Sequence, residues 1–170
     1  MHCQEEFINF KNMFLSDYQF NSHCKEDFPP AHTCEHLLNQ LMIRMFGTTR
    51  SHNSHIERKK SMMSFVLETK PGRKEEKVIE QEMNRLIDLD MPVICEMVNT
   101  SSMAEKFPIE NNSLNASEKI RVVKIGDYDV CPCIGKHVRS TRQIGRFELL
   151  GTNWDEYSKT YKLRFKVIPS

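Results

Sequence analysis

The chain has 170 residues, 39% hydrophobic and 28% charged, with a formal net charge of +1 at pH 7. That size and composition suit a soluble globular chain, large enough to bury a core without disulfide staples. No apolar run reaches the length of a membrane span, and the opening MHCQEEFINF lacks the basic and then apolar regions of a secretory signal, so a cytoplasmic protein with no membrane partner is expected.

Residues 1–29 read as an N-terminal extension closed by FPP, and residues 30–170 as a single domain. A helix is expected from residue 31, with Pro30 at its entry, an apolar stripe of Leu37, Leu38, Leu41, Met42 and Met45, and Gly47 as its stop. Residues 48–55 read as a polar loop containing the unremarkable His52 and His55, the latter a candidate for a pocket mouth. SMMSFVLET alternates as a half-buried strand with Met63, Phe65 and Leu67 on one face. After the Pro71–Gly72 turn, an amphipathic helix over 74–89 carries Val78, Ile79, Met83, Leu86 and Ile87. VICEMV predicts a strand in which Cys95 is buried, followed by a short helix over 102–106 and the polar loop NNSLNAS.

The last third predicts strands over 120–125, 146–150 and 160–167, with CPCIGKH in a turn and residues 151–157 as a connecting loop. Tyr161, Leu163, Phe165 and Val167 alternate with Thr160, Lys162, Arg164 and Lys166, the pattern of an antiparallel sheet with one wet face. The expected fold class is α+β, an antiparallel sheet with packed helices. From Lys119 onward there are 11 basic and 5 acidic residues, a balance of +6 that leaves −5 for the preceding segment. A basic C-terminal part suits a polyanion such as RNA, and equally an ordinary solvated surface.

Six cysteines in a chain without an export signal point to free thiols or metal ligands in preference to disulfides. HTCEH places His32 and His36 four apart, on one face of a helix, with Cys34 turned away. It is not the HExxH of zincins, because Glu35 stands beside the second histidine. CIGKH places Cys133 and His137 four apart, with Cys131 as a substitute or neighbouring thiol. Four N/S donors suit tetrahedral Zn²⁺ if the two pairs converge.

Together the segments resemble a family. HTCEHLLN is similar to the HTAxHLL element of the editing domains of alanyl-tRNA synthetase and of their free-standing AlaX-type relatives. CIGKHVRSTRQIG resembles their CGGTHVxxTGEIG at Cys133, Gly135, His137, Val138, Thr141, Ile144 and Gly145. SHIERKKSMMSF, IEQEMNRLIDLDMPV and EKIRVVKIGDYD follow the family's order, and the second additional domain of threonyl-tRNA synthetase shares the skeleton. The resemblance covers about residues 30–167. It departs at Glu35, Ser64, Ile134 and Lys136, all near the expected pocket.

The resemblance implies zinc held by His32, His36, Cys133 and His137 and hydrolysis of mischarged aminoacyl-tRNA, serine or glycine on tRNA for alanine. It leaves no room for the adenylate-forming machinery of a complete synthetase. Glu35 is the candidate general base, or an anchor behind a ligand. Thr33 and Thr141 are the candidate hydroxyls for amino-acid discrimination, Thr141 alternatively bonding backbone. Lys136, Arg139, Arg142 and Arg146 are candidates for the phosphates of the tRNA acceptor end. The competing expectations are a non-catalytic zinc-containing module that binds tRNA or a synthetase, and a zinc hydrolase of another small ester.

Overall fold

The computed structural model describes residues 28–99 and 119–169. Most of the expected extension, the short helix over 102–106 and the loop NNSLNAS lie outside them. The chain divides into two compact units, 24–96 with 121–170 and 1–23 with 97–120; of the second, only residues 97–99 and 119–120 are described. The candidate site lies wholly in the first unit.

Helix α1 (Pro29–Phe46) begins on two prolines, whose missing N–H groups would have had no helical partner anyway. It stops at Gly47, whose left-handed backbone (φ 64°) directs its N–H to the Ile43 carbonyl at 2.9 Å. Strand β1 (Asn53–His55) pairs with β2 (Ser61–Val66), so the end of the expected loop is an edge strand formed by pairing and not by propensity. Helix α2 (Arg73–Asp88) opens with the Glu75 carboxylate accepting the Gly72 N–H at 2.9 Å. Its buried residues are Ile79, Met83, Leu86 and Ile87. Val78, expected on that stripe, is 42% exposed, because one helical step rotates it off the buried face.

Strands β3 (Val93–Asn99), β4 (Lys119–Ile125) and β5 (Asp129–Pro132) form a three-stranded sheet in that order. A 3₁₀ turn (Thr141–Ile144) leads into β6 (Arg146–Asp155), and β7 (Thr160–Ile168) completes a four-stranded sheet ordered β1-β2-β7-β6. The fold is therefore α+β, with two sheets in place of the single one expected. The β1–β2, β2–β7, β6–β7 and β4–β5 pairings are all antiparallel.

The expected loop over 151–157 is largely strand. The register slips between Leu149 and Gly151, a bulge that lets β6 continue to Asp155. A glycine inside a strand marks such a bulge as readily as a loop. Cys95, expected in the core, is exposed, since β3 is exposed along most of its length.

The alternation in β7 is realised as read: Tyr161, Leu163 and Phe165 are 0% exposed and Val167 5%. With Met63 and Phe65 of β2 they meet Leu37 and Leu38 of α1 and Met83 of α2 in one apolar cluster. Each such side chain contributes roughly 1.5–3 kcal/mol on burial. Asn84 stitches α2 to β6, its amide accepting from the Phe147 N–H and donating to the Phe147 carbonyl, each at 3.0 Å.

Thr141 binds the 3₁₀ turn to the end of α2. Its fully buried hydroxyl donates toward the Leu86 and Ile87 carbonyls at 3.0 and 3.1 Å and accepts the Met91 N–H at 2.9 Å. This is the backbone-bonding alternative for Thr141, whose one hydroxyl proton goes to the backbone. Thr141→Val, which keeps the shape and removes the hydroxyl, is expected to lower the unfolding free energy by about 1–3 kcal/mol. Urea denaturation checks this; an unchanged midpoint would contradict the anchoring role.

Candidate metal centre

The core sets α1 against the segment that follows β5. His32 and His36 lie one turn apart on α1, and Cys133 and His137 lie just beyond β5. Their donor atoms all fall within 4.8 Å of one another, so these residues could hold a metal ion. The Nε2 atoms of His32 and His137 each stand 3.4 Å from Cys133 Sγ. Bonds of about 2.0–2.1 Å to nitrogen and about 2.3 Å to sulfur at the tetrahedral angle place N and S roughly 3.5 Å apart. These two N–S separations fit such a shell.

Hydrogen-bond accounting also orients the lone pairs. His32 Nδ1 lies 3.2 Å from the Lys136 carbonyl, which can only accept, so Nδ1 carries the proton. Thr33 spends its one hydroxyl proton on the Pro29 carbonyl at 2.9 Å, so His137 Nδ1, 3.1 Å away, must donate to Thr33 Oγ1. His36 Nδ1 faces the Asp129 carboxylate at 3.4 Å. All three rings thus turn Nδ1 outward to an acceptor, and an Nε2 free of that proton inward, as metal-bound histidines do.

The electrostatics agree. Burial would raise the Cys133 thiol, but the imidazoles of His137, His32 and His36 around it hold it down at about 3. Burial lowers His137 to about 4, keeping that imidazole neutral. His36 is lowered by burial but raised more by Asp129 and Cys133, so without a metal it holds a proton that a metal would displace. Cys131 is pushed up to about 12, chiefly by burial, and stays outside the donor set; Cys34, fully buried, is raised well above the usual thiol value for the same reason.

Three features of the site were not read from the sequence. Gly135 is required by packing: a Cβ there would lie 2.0 Å from His32 Cε1 and 2.6 Å from its Nδ1. Arg121 of β4 grips the ligand loop, donating to the Cys133 carbonyl and, at 3.0 Å, to the Gly135 carbonyl. Asp129, behind His36, is paired with Arg50.

The other expected site residues are distributed as follows. Thr33 is fully buried and spends its hydroxyl on Pro29, His137 and the Val138 N–H, which places it behind a ligand and not toward an amino acid. Glu35 is half-buried beside His36 and is not one of the four donors. Lys136, Arg139, Arg142 and Arg146 are all exposed. Arg142 donates to the Asp88 carbonyl at 3.2 Å and pairs with Asp90 at 3.7 Å, and with Arg146 it lines a shallow hollow. His52 bonds Thr49 and His55 bonds Glu57, both outside the cluster.

Residues 120–162 match the family described as the threonyl and alanyl tRNA synthetase second additional domain, and the match includes Cys133 and His137. Over those residues the chain is similar to that domain. It is 42% identical over 71 residues to the alanyl-tRNA editing protein AlaX-L of Pyrococcus horikoshii, covering 42% of this chain and 18% of that protein. It is 27% identical over 154 residues to the alanine–tRNA ligase of Methanococcus vannielii, covering 89% of this chain and 17% of that one. The alanine–tRNA ligase of Treponema pallidum is 30% identical over 120 residues, covering 69% of this chain and 20% of that enzyme. The chain thus spans a fifth or less of the length of these relatives.

Gly135→Ala tests the packing of the centre. The added methyl displaces His32 and is expected to lower zinc affinity at least about tenfold, with the far-UV circular dichroism unchanged. Chelator competition measures it, and wild-type affinity would contradict the geometry.

Proposed function

We propose that the chain is a zinc-dependent hydrolase that removes a wrongly attached amino acid, serine or glycine, from tRNA for alanine. The observation that carries this reading is the convergence of His32, His36, Cys133 and His137, with inward Nε2 atoms and a thiolate, in a relative of the second additional domain. The name of the Pyrococcus relative, an alanyl-tRNA editing protein, supports the substrate. Zn²⁺, when bound, supplies a Lewis acid for an ester carbonyl or a water of lowered pKa.

The chain's own residues do the remaining work. Thr33, the Lys136 carbonyl and Asp129 hold the three rings in place. We assign proton transfer to Glu35, the half-buried carboxylate next to His36 on α1. Lys136, Arg139, Arg142 and Arg146 supply exposed positive charge for the phosphates of the acceptor end. No helix among the described residues is long and apolar enough to cross a membrane, which is compatible with work on tRNA in the cytoplasm.

A four-residue shell is also the closed form typical of structural zinc, and this favours a second reading, a non-catalytic module that binds tRNA or a synthetase. One experiment separates the two. Purified protein is expected to hold about one zinc and to deacylate Ser-tRNA or Gly-tRNA for alanine. His36→Ala should lose metal and activity together, whereas Glu35→Gln should keep zinc and lose about 10²–10⁴ in kcat. Zinc-loaded protein that is inactive on a panel of mischarged tRNAs yet binds tRNA in a salt-dependent way would favour the second reading.

A further inference from the structure

We propose that Asp129, braced by Arg50, positions His36 for the metal. This rests on the zinc reading above and extends it to residues outside the ligand set. The side chains of His36 and Asp129 are 6% and 1% exposed, with Nδ1 and Oδ2 3.4 Å apart. That is longer than a fully formed charge-assisted hydrogen bond, and neither atom has a hydrogen-bond partner among the described residues. Burying either atom alone would be costly, so each depends on the other.

Asp129 is itself firmly held. Its Oδ1 takes the Arg50 guanidinium, whose side chain is 22% exposed. The turn before it is closed by the Tyr128 N–H on the Ile125 carbonyl at 2.9 Å. From α1, Arg44 donates to the Tyr128 carbonyl at 3.0 Å and lies 4.2 Å over the Tyr128 ring. The helix that carries His36 therefore also fixes the residue preceding Asp129.

Charge distinguishes Asp129 from the other two supports. One thiolate and three neutral imidazoles leave a divalent ion with one uncompensated positive charge. Lys136 offers a backbone carbonyl and Thr33 a hydroxyl, both neutral. Asp129 is an anion, shared between Arg50 and the Nδ1 edge of His36, and its pull on Nδ1–H makes His36 Nε2 a stronger donor.

The test measures metal affinity, not turnover. Zinc affinities of wild type, Asp129→Asn and Asp129→Ala are determined by chelator competition, the Co²⁺-loaded forms by their visible absorption, and the metal-free forms by thermal unfolding. Asp129→Asn keeps an acceptor oxygen and loses the charge; it is expected to bind zinc about tenfold more weakly, and Asp129→Ala about a hundredfold. The Co²⁺ band pattern should stay that of wild type. If Asp129→Ala fails to fold, the near-isosteric Asp129→Asn decides. An affinity within twofold of wild type, with only the metal-free stability reduced, would make Asp129 merely structural and overturn the proposal. An altered Co²⁺ band pattern would also overturn it, by placing Asp129 among the ligands. A wild-type protein that takes up no zinc would remove the zinc reading itself, and the proposal with it.

Discussion

Everything at the candidate centre depends on where three imidazole protons sit. A histidine can offer Nε2 to a metal only if its other nitrogen keeps the ring proton, and each ring here has an acceptor at Nδ1. The Lys136 carbonyl serves His32, the Thr33 hydroxyl serves His137 and the Asp129 carboxylate serves His36. The Thr33 contact is the most restrictive. Its own proton is committed to the Pro29 carbonyl, so the direction of the bond from His137 is forced. Gathered around the Cys133 thiolate, the three nitrogens form a cavity that suits a tetrahedral ion in size and in charge.

The fold exists, in functional terms, to hold one helix against one loop. Proline at the start of α1 and glycine after its end set the helix length, and its apolar stripe sinks into the cluster with β2, β7 and α2. The opposite side then carries His32 and His36 toward the segment after β5. That segment has little regular structure of its own and is held by Arg121 on the carbonyls of Cys133 and Gly135, by Thr33 on the Val138 N–H, and by the close approach of His32 to Gly135. Thr141, slightly further along, anchors the same stretch to α2. Two of the hydroxyls expected to face a substrate instead keep the ligand loop in place.

The four donors were legible because their chemistry is local: a four-residue spacing on a helix, and a cysteine and histidine across a glycine turn. The helices, β2 and β7 were legible for the same reason, as their periodicity records which face is buried. What could not be read depends on distant partners. Nothing around Asp129 announces that His36 and Arg50 will close on it. A threonine next to a ligand reads equally as a substrate contact or a backbone anchor, and only the Pro29 and Val138 contacts decide for Thr33. Apolar neighbours suggested burial for Cys95, but no layer among the described residues covers it on β3. Gly151 looked like a loop residue because a bulge and a loop make the same demand on a backbone.

The relatives narrow the chemistry and also mark its boundary. The match to the second additional domain covers the loop that carries Cys133 and His137, and the long alignment to the Methanococcus ligase takes in most of the chain. Three of the residues that depart from the resembled pattern, Glu35, Ile134 and Lys136, lie next to the expected ligands in the sequence. The coordination sphere is therefore the part of the account on which everything else rests, and X-ray absorption at the zinc edge of the purified protein tests it most directly. The account predicts one zinc with three nitrogen neighbours at about 2.0–2.1 Å and one sulfur at about 2.3 Å. A shell without sulfur, or one with a second sulfur from Cys131, would contradict it.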